Sequence, residues 1–126
     1  MGNVVTMQMF LYILLVMSKE IIKNNDKIYL NKVDEIFKNI RWKKIETTYK
    51  DECKTDNHSI NFGKHIRNAV SHLRCYYEFI DNERCVTFKD DTMTDKTQKC
   101  SLQCKTADIG NSISELQKAL MLFLNK

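Results

Sequence analysis

Not one proline interrupts these 126 residues, and glycine occurs only three times. The two strongest breakers of regular backbone are nearly missing, which favours long helices joined by few irregular loops. A chain of this length fits one domain around one hydrophobic core, so residues 1–126 are read as a single domain. The mix of 43% hydrophobic and 29% charged residues excludes a disordered tail. The formal charge of +4 permits a nucleic-acid partner without requiring one, because dedicated binders carry a denser basic stripe.

Val4–Met17 is apolar apart from Thr6 and Gln8. The run is shorter than the roughly 20 residues that span a bilayer. It also lacks the early positive charge and small-residue cleavage site of a secretory signal. It therefore reads as the first helix, residues 3 to about 23, of a cytoplasmic protein that does not enter a membrane. Its apolar face is either buried or an oligomer contact. After the turn cluster Asn24-Asn25-Asp26, a second helix is expected over residues 31 to about 50. Its apolar positions are Val33, Ile36, Phe37, Ile40 and Ile45, of which the early part matches one helical face, with Trp42 packed at the edge. Residues 51–58 are polar and read as a loop. A third helix runs from about Ile60 to Arg74, with Phe62, Ile66, Ala69, Val70 and Leu73 on one side.

The period then changes from helical to alternating. Tyr77 and Phe79, then Val86 and Phe88, flank Asp81-Asn82-Glu83, the pattern of a β-hairpin. Cys100, Leu102 and Cys104 alternate with polar neighbours and suggest a third short strand. The polar residues 90–98 lie between as a loop. Ser112 followed by Glu115 fits a capping box ahead of a helical stripe of Leu116, Ala119, Leu120 and Phe123. The expected fold is mainly α: a helical bundle with a small antiparallel hairpin or three-stranded insertion before the last helix. The strand count between residues 75 and 106 stays open.

Five cysteines, Cys53, Cys75, Cys85, Cys100 and Cys104, form no paired spacing and read as reduced thiols. No Cys-x2-Cys or His-x3–5-His pair is present, so neither a metal nor another cofactor is expected. His58 reads as a loop residue with no evident partner. The segment that carries chemistry is Lys64-His65-Ile66-Arg67-Asn68-Ala69-Val70-Ser71-His72. On a helix, Arg67 and His72 leave opposite flanks of the polar side, about 140° apart, with Lys64, Asn68 and Ser71 between them and His65 nearly in line with His72. A guanidinium fork matches the charge that develops on a phosphate under attack. A histidine can take a proton from a ribose 2′-hydroxyl or give one to the leaving oxygen. By composition and spacing alone, the same residues also fit an ordinary solvated helix face.

Arg67-Asn68-Ala69-Val70-Ser71-His72 resembles the Arg-x4–6-His motif of the HEPN superfamily, including the polar residue that often follows the arginine. The hairpin after the motif and the Leu/Phe-rich last helix resemble a plasmid-borne HEPN subfamily. The resemblance implies a helical bundle that cuts RNA without a metal and leaves cyclic phosphate ends. It implies a homodimer in which two motifs face each other across one composite cleft, and a role as a toxin or defence effector. It assigns Arg67 to phosphate stabilisation, His72 to acid/base work and Asn68 to assistance. Lys64, His65, Ser71 and Arg74 are the expected substrate contacts. In HEPN toxins paired with a nucleotidyltransferase antitoxin, a tyrosine stands where this chain has Arg74, so regulation by tyrosine modification is not expected. Tyr76 and Tyr77 read as packing residues. The competing reading is a module that binds RNA or a nucleotide without cutting it, or that pairs with an antitoxin protein.

Overall fold

The computed structural model describes residues 3–18, 27–91 and 98–125. Helix α1 (Val4–Leu11) is capped by Asn3, whose Oδ1 accepts from the Val5 amide at 2.8 Å. It continues through a π-helical stretch, Tyr12–Met17. Helix α2 spans Lys27–Lys38, strand β1 Lys44–Thr47, and a short 3-10 turn Asn57–Ser59. Helix α3 (Phe62–Ser71) is followed by β2 (Cys75–Ile80), β3 (Glu83–Asp91), β4 (Lys99–Lys105) and α4 (Thr106–Leu124). The expected turn Asn24-Asn25-Asp26 and most of the polar loop at 90–98 lie outside the described residues. No described helix is long and apolar enough to cross a membrane.

The four strands form one antiparallel sheet in the order β1-β4-β3-β2. Asp81 and Asn82 both take positive φ, 52° and 66°. This is the two-residue turn whose twist matches a hairpin, and Asp and Asn tolerate it best after glycine. Helices pack on one face of the sheet. Phe37 from α2, Phe62 and Ile66 from α3, Phe88 and Leu102 from the sheet, and Ile109 and Ile113 from α4 are all essentially inaccessible. Each such side chain contributes roughly 1.5–3 kcal/mol on burial.

The mainly α expectation is corrected. With 54% helix and 26% strand among the described residues, and a sheet that supplies one wall of the core, the fold is α+β. The missed strand is β1, which the helical reading had absorbed into residues 31–50. Lys44-Ile45-Glu46-Thr47 alternates exposed and half-buried residues, and it completes the edge of β4, pairing Ile45 with Leu102. The five-residue step from Ile40 to Ile45 already leaves the helical face, and pairing with β4 fixes the strand. Trp42 sits between the two elements. Its indole stacks on Phe62 at 5.3 Å, meets Phe88 edge-on at 6.5 Å and donates from Nε1 to the Phe37 carbonyl.

Two further expectations are corrected. Helix α4 begins at Thr106, six residues before the supposed cap. Ser112 lies inside it, buried, and its hydroxyl donates back to the Asp108 carbonyl, the alternative bond that mid-helix serines make. Tyr77 does pack, donating to Gln8 Oε1 at 2.7 Å. Tyr76 instead faces solvent on the other side of the sheet, with the Lys89 ammonium 5.2 Å from its ring centroid.

Candidate active site

Helix α3 carries the whole Arg67–His72 segment on or at its end. Asn61 caps its start, with Oδ1 accepting from the Lys64 amide. Its buried face consists of Phe62, Gly63, His65, Ile66, Ala69 and Val70. The helix stops after Ser71. The Leu73 amide donates to the Val70 carbonyl and the Arg74 amide reaches back to Ala69. This pair of bonds is the usual glycine-favoured helix stop, yet Leu73 occupies its left-handed position with φ 57°. Leu73 was expected in the core. The turn swings it outward, where it is 78% exposed.

Arg67 is half-buried and lines a cleft of about 460 Å³ between the π-helical stretch, α2 and α3, with Lys64, Asn61, His58 and Lys38 also in its lining. Partial burial draws its pKa down, opposed by the charge of Asp90. A guanidinium remains charged in proteins even so. Among the described residues, Arg67 makes no hydrogen bond or ion pair. Lys38 is committed to Asp34 at 2.7 Å. The Lys64 ammonium lies 5.7 Å from the Tyr49 ring centroid.

His72 does not line this cleft. It is exposed in the turn at the far end of α3. Ser71 is exposed beside it. Arg74 pairs with Asp91 at 3.1 Å. Asn68 turns toward the sheet, where its Nδ2 donates to Asp90 Oδ2 at 3.2 Å.

His65 occupies a different environment from the one expected. It is 1% exposed. Nδ1 donates to Asp90 Oδ2 at 2.7 Å, and Nε2 to Glu52 Oε2 at 2.7 Å. Burial pulls its pKa down, but hydrogen bonds to Asp90, to the Cys100 sulfur and to Glu52 more than reverse this. The ring is raised to about 10 and is cationic at neutral pH. With both ring nitrogens engaged, His65 offers nothing to a substrate in this arrangement. Tyr49 covers the ring at a centroid distance of 4.6 Å, and its hydroxyl lies 3.5 Å from Asp90. Burial, with Asp90 and Glu52 nearby, pushes that phenol up to about 12.

Glu52, Asp90 and Cys100 are thus the residues that sequence reasoning missed. Each sits in a stretch read as loop or plain strand. The available signal was the alternation of Phe88 and Asp90, which puts a carboxylate on the buried side of a strand.

The family model described as HEPN pEK499 p136 matches residues 1–125. The chain belongs to this HEPN family. No curated protein and no solved structure matches it. In this HEPN chain, the basic cleft and the exposed imidazole lie at two ends of one short helix. Strand β3 grips that helix through Asp90, and Asp91 holds Arg74 in the connector that follows it.

Proposed function

We propose that this HEPN domain is a metal-independent endoribonuclease acting as a toxin or defence effector. The observation that carries the reading is the Arg67 guanidinium: a cation held in a cleft, with no hydrogen bond or ion pair among the described residues, five positions from an exposed histidine on the same helix. In the proposed reaction a ribose 2′-hydroxyl attacks the adjacent phosphorus and loses its proton to a base. The bond to the 5′-oxygen breaks, and that oxygen receives a proton. The products are a 2′,3′-cyclic phosphate and a 5′-hydroxyl. Arg67 stabilises charge on the phosphoryl oxygens, His72 moves the proton, and Lys64, Ser71 and Arg74 contact the RNA backbone. Asn68 acts indirectly, through Asp90. The test is incubation of purified protein with mixed RNA in EDTA, with circular dichroism confirming that it stays folded. Cyclic-phosphate ends are expected; retained, intact RNA would instead identify a binding module.

Because Arg67 lines the cleft and His72 does not, we propose that a second copy completes the site. Helix α1 is apolar apart from Thr6 and Gln8, and it leaves apolar side chains outside the core as well as in it. Met7 and Leu11 are buried, while Val5 and Met9 are 64% and 60% exposed. These two and Leu73 border one shallow depression, next to His72 in the chain. Covering this patch in a homodimer brings the partner's motif toward His72. Leu73→Gly relieves a left-handed leucine, which costs roughly 1–2 kcal/mol, and removes an apolar contact. At low concentration its folding stability is expected to rise by about 1 kcal/mol, read as a higher urea midpoint, while sedimentation shows weaker self-association. A destabilised monomer with unchanged association would refute both parts.

A further inference from the structure

The cluster around His65 is built like a metal centre. One ligand atom each from Glu52, His65 and Cys100 lies within 4.8 Å of the other two. Cys100 and His65 are buried, at 2% and 1% exposure, and the Glu52 side chain is 7% exposed. These are three different donor types from three separate elements: the loop after β1, helix α3 and strand β4. Thiolate, imidazole and carboxylate are the donors that zinc takes.

The residues around the donors already orient them. His65 Nδ1 is held by Asp90 at 2.7 Å, which leaves Nε2 directed at Glu52. A carboxylate on the far nitrogen is the usual support of a zinc-bound histidine. Asp90 is held in turn by Asn68. Glu52 Oε1 accepts from the Thr47 hydroxyl at 2.7 Å, and Oε2 from the Asn61 amide at 3.0 Å.

We propose that Glu52, His65 through Nε2, and Cys100 bind one Zn²⁺ ion, which fastens residues 48–60 to helix α3 and the sheet. Ligand atoms around a tetrahedral zinc stand roughly 3.3–3.6 Å apart, given bonds of about 2.0 Å to N and O and about 2.3 Å to S. The Nε2–Glu52 pair, now 2.7 Å apart, opens by roughly 0.6 Å on that geometry. The ion replaces the proton on Nε2 and the proton on the Cys100 sulfur, so the cluster keeps the same total charge. A water fills the fourth position. Arg67 and His72 are not ligands, so the centre stiffens the domain without entering the cleavage step.

The full chain, freed of metal by dialysis against a chelator, is titrated with Co²⁺ and then Zn²⁺. One equivalent of cobalt is expected to give a thiolate-to-cobalt charge-transfer band and the visible bands of a tetrahedral ion. One equivalent of zinc bleaches both and raises the thermal midpoint. Cys100→Ser abolishes the charge-transfer band, whereas Cys53→Ser, at an exposed thiol, leaves it intact. Asp90→Asn weakens zinc binding 10–100-fold. A wild-type chain that takes up no zinc, or a band that survives in Cys100→Ser, overturns the assignment. Where Cys100→Ser does not fold, an absent band in the wild type, or unchanged zinc affinity in Asp90→Asn, overturns it.

Discussion

Alanine at position 72 is expected to slow RNA cleavage by roughly 10²–10⁴-fold, the usual worth of a positioned acid or base. The substitution tests chemistry more than folding. The His72 side chain is exposed, and its backbone amide, which bonds to Asn68 and Val70, is unchanged in alanine. Circular dichroism and the urea midpoint are therefore expected to match the wild type. Affinity for uncut RNA is expected to change little, since one exposed imidazole adds few contacts. Arg67 behaves differently. Arg67→Lys keeps the charge and loses the fork that spans two phosphoryl oxygens, so both rate and affinity fall. Cleavage at the wild-type rate by His72→Ala would remove the histidine from the mechanism, and with it the proposed nuclease.

Leucine in place of His65 is expected to cost about 3–5 kcal/mol of folding stability in metal-free protein, the range seen when one partner of a buried charge set is removed. Glu52 and Asp90 would remain under the surface with no cation between them. Against a total of roughly 5–15 kcal/mol for a domain of this kind, much of the folded population is lost. The triple variant His65→Leu, Glu52→Gln, Asp90→Asn is expected to recover part of the deficit, because no buried charge is then left unpaired. Urea denaturation of the single and triple variants measures both numbers. A single variant within 1 kcal/mol of the wild type would show that the three groups are not coupled as their 2.7 Å separations require.

Local signals in the sequence carried the elements that obey a single period. Phe62, Ile66, Ala69 and Val70 repeat at helical spacing, and α3 follows. Asp81 and Asn82 suit positive φ, and the hairpin turns there. The failures share one physical cause: partners distant in the chain. Ile45 was joined to the apolar series of α2 although it stands five positions past Ile40, and β4 recruits it into the sheet. Ser112 and Glu115 spell a helix start, yet β4 leads directly into α4 at Thr106, and the serine bonds back within the helix. Leu73 falls on the core side of an ideal helix, which ends two residues too soon to keep it there. In the candidate site, the letters Arg67 and His72 were legible because they sit on one element. The destination of His65 was not, since Glu52, Asp90 and Cys100 come from a loop and two strands, 13, 25 and 35 positions away in the sequence. Nothing local distinguishes a histidine bound for a carboxylate pair from one facing water.

Asp90 and Asp91 are consecutive letters with different charges to hold, one the motif helix through His65 and Asn68, the other the connector after it through Arg74. The gauge that sets where Arg67 and His72 stand is thus written in the parity of a single strand. Side chains along a strand change sides at every step. Inserting or deleting one codon between Phe88 and Asp90 would exchange the two carboxylates, leaving one in water and the other in the core. The length of β3, as well as its letters, therefore decides which carboxylate meets His65.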